Sequence, residues 1–253
     1  MRYTINFYSH FRRNILIYCL ILTFSLFPAN SVVAQTNVSL FTLDSTPFGI
    51  PYNEWTAKWW EWLISIPLSQ NPAADNTGEF CAKNQNQTDP VWFLVGTFQG
   101  RTERTCEIPA GKGLLFPVLN LECSFAEYTN LKTDSELSQC AKEAVDKVTF
   151  VQASVDGVEV KDIFRTQSPP FTVTFPRENI FGVEAVQTRA VSDGYWVFLQ
   201  PLSTGTHTIN FKGAVVDVPT TGIASITNDV TYHLTVVAVP EGANQTQSVP
   251  LQE

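Results

Sequence analysis

Apolar positions along the chain follow two periods. From Tyr52 to Ile66, Trp55, Trp59, Trp62 and Ile66 recur every three to four residues, the spacing of one helix face. Leu63 widens the stripe, while Glu54, Lys58 and Glu61 lie off it. The pattern predicts a helix near 53–66, with Asn53 as its N-cap and Pro67 as its stop. Trp60 projects away from the stripe by about 100°, so it is predicted to be exposed and free to stack on a sugar or touch a partner. A second helix is predicted over 134–147. There Thr133 and Glu136 form a capping-box pattern, and Leu137, Ala141, Ala144 and Val148 supply the apolar face.

Elsewhere the signal is that of strands. Val91 to Val95 is a short continuous apolar run, as in a buried strand, and Arg104–Ile108 and Leu114–Leu119 follow after turns. Pro117 places the last of these at a sheet edge or a bulge, because proline cannot donate to a ladder. From Val148 onward the period is two. Thr149–Val155 and Val158–Val160 flank Asp156-Gly157, a type I′ hairpin signal. Phe171–Phe175, Tyr195–Leu202, Thr206–Lys212 and Val230–Val239 read as further strands. Short strands at this spacing predict a mainly β protein: an antiparallel β-sandwich, Ig-like or jelly-roll-like, with two packed α-helices.

The N-terminal segment reads as an address. Arg2, Arg12 and Arg13 precede an apolar run, Ile15–Phe27, too short to span a bilayer. Val32-Val33-Ala34 then offers small residues for cleavage. Residues 1–34 are therefore expected to be a signal peptide, 35–240 a single domain and 241–253 a disordered polar tail. The expected location is secreted or periplasmic, with no membrane attachment after cleavage. The net charge of −8, with no basic cluster beyond the leader, excludes a nucleic-acid binder. Four cysteines remain after the leader: Cys81, Cys106, Cys123 and Cys140. In an exported chain they read as two disulfides. Three pairings are open, and the nearest-neighbour one, Cys81–Cys106 with Cys123–Cys140, is the expectation. Zinc is disfavoured because no Cys-x-x-Cys pair occurs.

Several motifs together resemble an uncharacterised family of secreted microbial proteins. They are Trp55-x-x-x-Trp59-Trp60-x-Trp62, Asn71-Pro72-x-x-Asp75-x-Thr77-Gly78-x-x-Cys81, Val91-Trp92-Phe93-Leu94 and Arg104-x-Cys106-x-Ile108-Pro109-x-Gly111-Lys112. Phe116-Pro117-x-x-Asn120, Asp193-Gly194-Tyr195-Trp196 and Pro201-Leu202-x-x-Gly205-x-His207-x-Ile209 continue the likeness, which covers roughly residues 50 to 240. The resemblance implies no assigned activity, so it lends no residue a catalytic role.

Candidate chemistry is sparse. Polar residues set among apolar runs, Glu61, Arg104, Lys112, Asn120, Glu122 and Asp193, line a binding pocket in one reading. In the other, Arg104 or Lys112 pairs with a buried glutamate to support the fold. Asp75, Asn76, Glu79 and Asp89 could supply oxygens to calcium, although Asp-Asn-Thr-Gly is also an ordinary Asx turn. No other cofactor is expected. Gly111-Lys112-Gly113 lacks the spacing of a phosphate loop and reads as a turn. His207 and His233 fall in strands predicted to be neighbours. They could act together as acid and base or as metal ligands if they shared a face. Asn37, Asn86 and Asn244 begin glycosylation sequons.

No nucleophile–base or metal-ligand motif appears. The expected function is therefore a secreted, non-enzymatic binding or structural module with a glycan or protein ligand. The alternatives are an extracellular hydrolase built on carboxylates and His207, and a subunit of a surface assembly.

Overall fold

A computed structural model describes residues 38–98, 100–218 and 223–239. The expected signal peptide and C-terminal tail lie outside these residues, as do the sequons at Asn37 and Asn244. The architecture is mainly β, with two five-stranded sheets packed face to face and two helices.

The first sheet runs β1 (Val91–Phe93), β3 (Gly113–Ser124), β8 (Val186–Leu199), then β6 (Phe164–Gln167) and β7 (Phe171–Phe175) side by side along β8. The second runs β2 (Arg101–Pro109), β10 (Ile223–Val237), β9 (Gly205–Val218), β4 (Val148–Val155) and β5 (Val158–Glu159). Most pairings are antiparallel, as expected for a sandwich. Two are parallel: β1 with β3, and β10 with β2. Hairpin signals cannot reveal such pairs, because parallel strands need a crossover rather than a turn. Here the chain leaves β1, crosses to the second sheet as β2 and returns as β3.

The Asp156-Gly157 turn forms as predicted, with φ of 51° and 78°. Between the sheets lie Trp92, Leu114, Phe116, Val197 and Leu199 from one side and Ile209, Phe211, Val230 and Leu234 from the other. β8 begins nine residues before the predicted Tyr195. Its extra length is supplied by pairing with β7 rather than by its own pattern.

α1 (Tyr52–Ile64) packs on the outer face of the first sheet, against Leu115, Ala190, Trp196 and Phe198. Its N-cap is Pro51, and no side chain caps it, so Asn53 is not the predicted cap. Trp60 is a second correction. It is only 5% exposed, because the Ile180–Val183 segment covers the flank that helix periodicity assigns to solvent; the Phe181 ring lies 6.3 Å away.

α2 (Asp134–Val145) carries the predicted capping box between Thr133 and Glu136. With Cys123, Val191 and Leu137 it fills the inner face of the first sheet where the second sheet stops. Both expected disulfides form, Cys81–Cys106 and Cys123–Cys140, closing separations of 25 and 17 residues. Each stabilises by about 3 kcal/mol in the chain-entropy model.

Pro117 sits at a bulge, as one predicted alternative had it: β3 pairs with β8 in register up to Pro117↔Trp196 and resumes at Leu119↔Tyr195. The extra residue reverses the alternation. Before the bulge, odd-numbered Leu115 faces α1; after it, even-numbered Asn120, Glu122 and Ser124 lie opposite Gly194, Ser192 and Ala190 on that same side. Gly194 makes room for this. A Cβ there would sit 2.5 Å from the Asn120 Cβ and 2.9 Å from the Leu119 carbonyl oxygen. Gly194→Ala is expected to cost about 2 kcal/mol through overpacking, read from the midpoint of urea unfolding; an unchanged midpoint would show that the strands can part freely.

Candidate functional site

The outward turn of β3 ends in a cavity of about 560 Å³ between β3, α1 and the loops after β1 and β7. Its size is that of a small-molecule site. Trp59, Trp60 and Leu63 of α1 form one wall, and Ile180, Phe181 and Val183 another. Asn120, Glu122, Glu127 and Tyr128 line the β3 side, with Phe98 beside the mouth and 48% exposed.

The wall formed by Val95, Gly96 and Thr97 is held by three long side chains. Tyr232 Oη donates to the Val95 carbonyl at 3.0 Å and accepts from the Val95 N–H at 3.2 Å. Arg104, 1% exposed, donates through Nη1 to the carbonyls of Val95 and Gly96 and to Tyr232 Oη, and through Nε to the Asp75 carbonyl at 2.7 Å. Asn228 accepts from the Thr97 N–H at 2.9 Å and donates to the Val118 carbonyl at 2.8 Å, tying this wall to the bulge. Arg104 is thus buried without a glutamate partner. Its charge meets carbonyl dipoles and the Tyr232 ring, 5.5 Å away. The predicted Arg–Glu pair is replaced by this arrangement.

Unsatisfied polar groups gather at the cavity, although Tyr52 Oη, Arg104 Nη2 and the indoles of Trp92 and Trp196 are also unpartnered and do not line it. Buried polar atoms are normally hydrogen-bonded. The indoles of Trp55, Trp59 and Trp62 obey the rule, donating to the carbonyls of Pro47, Leu94 and Lys83 at 2.8–2.9 Å. Trp60 Nε1 has no partner among the described residues, and neither do Asn120 Nδ2 or either carboxyl oxygen of Glu122. Ser192 Oγ, across the ladder from Glu122, is unpartnered as well. Glu122 is 6% exposed. The group facing it is the Glu127 carboxyl, itself held by the Ser124 hydroxyl at 2.7 Å. Burial pushes the Glu122 carboxyl well above its ordinary value, and the facing Glu127 carboxyl pushes it further.

Of the candidates read from the sequence, the fold brings Trp60, Asn120 and Glu122 together at this cavity. The others lie elsewhere. Glu61 is exposed and lines a separate depression with Lys58 and Asn84. Lys112 donates to the carbonyls of Gln87 and Asp89, so no Lys112–Glu pair forms. Asp193 pairs with Arg165 at 2.7 Å on the α2 side of the sheet. His207 bonds Asp156 at 2.7 Å. In the ladder His207 opposes Leu234, and His233 opposes Thr208. The one-residue offset puts the two imidazoles on opposite faces, which removes the histidine pair.

The calcium candidates are not gathered either. Asp75 accepts from the N–H groups of Thr77 and Phe80, an Asx turn, and Asp89 accepts from Asn86. No group of three or more His, Cys, Asp or Glu side chains converges among the described residues. Sequence reasoning missed Glu127, Asn228 and Phe181. Ser124-x-x-Glu127 was a readable local signal, as Ser124 both donates to the Glu127 carboxylate and accepts from its N–H.

No protein-family model matches the chain, and no curated protein matches it. Among solved structures, two that are similar in part illustrate the likeness. PbICP-C, in a complex with falcipain-2, aligns at 14% identity over 57% of this chain and 98% of that one, with a TM-score of 0.25. The cysteine protease inhibitor EhICP2 from Entamoeba histolytica aligns at 14% identity over 57% of this chain and 94% of that one, with a TM-score of 0.20. Likenesses at this level carry no argument about function.

Proposed function

We propose that the protein is an exported, non-enzymatic binding module that takes a small, mostly apolar molecule into the cavity beside α1. One observation carries this reading. Trp60 Nε1, Asn120 Nδ2 and the Glu122 carboxyl have no hydrogen-bond partner among the described residues, around a single cavity whose other walls are largely apolar. An unpaired buried polar group costs about 1–3 kcal/mol. A ligand that bonds these groups recovers that cost, while its apolar body covers Trp59, Leu63 and Phe181. The leader-like N-terminus and the two disulfides support export.

N-phenyl-1-naphthylamine, a neutral apolar fluorophore, tests the site. The expected result is saturable binding at one site, with energy transfer from tryptophan and a raised melting temperature. Val183→Trp and Ile226→Trp, each filling the cavity from a half-buried wall position, are expected to abolish binding while preserving the circular dichroism spectrum. Binding that survives both substitutions places the site elsewhere.

The hydrolase alternative keeps one supporting observation, the facing carboxyls of Glu122 and Glu127. Turnover of an ester or glycoside that Glu122→Gln abolishes would replace the binding reading with that one.

A further inference from the structure

The polar end of the cavity is not merely polar; it is acidic. Its titratable lining groups are Glu122, Glu127 and Tyr128, and no Lys, Arg or His lines it among the described residues. Charged groups on the neighbouring elements do not line it, Arg177, Glu178 and Glu184 beside the Ile180–Val183 wall included. Arg165, Asp193, Asp146 and Lys142 form a network on the α2 side of the sheet, and Arg189 pairs with Asp134 at 2.5 Å. On α1, Lys58 and Glu61 belong to the other depression. Two carboxyls therefore meet at an apolar cavity that no cation lines among the described residues. The remaining lining is rich in rings: Trp59, Trp60, Phe98, Tyr128 and Phe181. Rings and carboxyls together make the environment that an organic cation prefers, since ring faces attract a desolvated positive charge that an anionic ligand would lack.

Deepening the binding reading, on which this rests, we infer that the ligand of this cavity is an apolar amine whose ammonium group docks between Glu122 and Glu127, with its hydrocarbon body against Trp59, Trp60 and Phe181. In the empty protein the buried Glu122 carboxyl keeps its proton beside Glu127. As the ammonium enters, that proton leaves to solvent and the cation takes its place, so charge is conserved at the site. Glu122 is the recognising group: it is 6% exposed, and neither of its oxygens has a hydrogen-bond partner among the described residues. Glu127 is the second acceptor, fixed by Ser124. The geometry disfavours carboxylate ligands, which would bring a third negative group to the pair.

The probes are 2-phenylethylamine and hexylamine, each compared with the alcohol and the carboxylate of matching length, by isothermal titration calorimetry on the full mature protein. The amines are expected to bind at least about tenfold more tightly than the alcohols, and the carboxylates not measurably. Amine affinity is expected to rise about tenfold per pH unit wherever empty Glu122 holds its proton, because one proton is then released per amine bound. Titrations in phosphate and Tris, whose ionisation heats differ, count that proton directly. Glu122→Gln is expected to erase the preference for amine over alcohol and the pH dependence while leaving alcohol binding in place. Glu127→Gln is expected to weaken amine binding without removing it, and it serves as the second variant should the first disturb folding. Alcohols binding as well as amines, or amine binding indifferent to both substitutions, overturns the inference. If the naphthyl fluorophore binds and amines show no advantage, only the ammonium is wrong; if neither binds, the cavity reading itself fails.

Discussion

Arg104→Met is expected to lower the unfolding free energy by about 4 kcal/mol. The guanidinium makes four hydrogen bonds, to the carbonyls of Asp75, Val95 and Gly96 and to Tyr232 Oη. Bonds from a charged donor are each worth about 1.5–3 kcal/mol, and their contributions here overlap because three share one nitrogen. Met fills part of the volume and supplies no donor, so the part-buried carbonyls of Asp75 and Gly96 lose the guanidinium and Val95 keeps only Tyr232. Arg104→Lys is expected to recover only part of the loss. A single ammonium cannot serve the Asp75 loop and the Val95–Gly96 wall at once, as the planar fork does. Guanidinium unfolding at neutral pH checks this; a loss under about 1 kcal/mol would mean that water replaces the side chain at little cost. Because the same segment lines the cavity, the Met variant is also expected to weaken binding of the naphthyl fluorophore.

Glu122→Gln is expected to make the empty protein more stable at neutral pH and to flatten its stability between about pH 5 and 8. The native carboxyl is raised well above 4.5, by burial first and by Glu127 second. The native chain therefore holds a proton that the unfolded chain releases. Stability from this group is fully present below the unfolded value and is lost as pH climbs from there through the folded one, at about 1.4 kcal/mol per unit. Gln keeps the shape and never ionises, so the advantage of the variant widens as pH rises. Glu136 acts in the opposite sense. The Lys132 N–H, and then Thr133, hold it below 4.5, so its contribution is lost only on acidification, equally in both proteins. Melting temperatures of the two proteins from pH 5 to 8 provide the check. Parallel profiles would mean that Glu122 is hydrated and ordinary. A group that is costly to the empty protein at neutral pH, yet placed at a cavity, is the usual mark of a functional position.

The legible parts of this fold are the ones set by neighbours in sequence. The Trp55–Trp59–Trp62 stripe, the Thr133–Glu136 box, the Asp156-Gly157 turn and the proline-linked bulge each depend on backbone geometry within a few residues. The cysteine pairing was favoured on proximity alone, and it holds. Where reasoning from the sequence departed from the structure, a distant segment had intervened. Trp60 is covered by residues more than a hundred positions later. Arg104 found carbonyls rather than a glutamate because the parallel pairing of β2 with β10 carries Tyr232 to it. His207 and His233 were placed correctly on adjacent strands and separated by a register offset of one residue.

The amino-acid pattern alone determined the class of this protein: a β-rich chain with two amphipathic helices, two cross-links and buried polar residues in need of an explanation. Periodicity and turn chemistry are local properties, and a linear reading captures them. Tertiary structure alone decided which of those polar residues meet. One added residue at Pro117–Leu119 turns Asn120 and Glu122 toward α1, and the chain's return at Phe181 closes a cavity over them. The side a strand residue faces depends on every bulge before it, and the partner it meets depends on pairing across the whole chain. Neither is written in the residue's own neighbourhood.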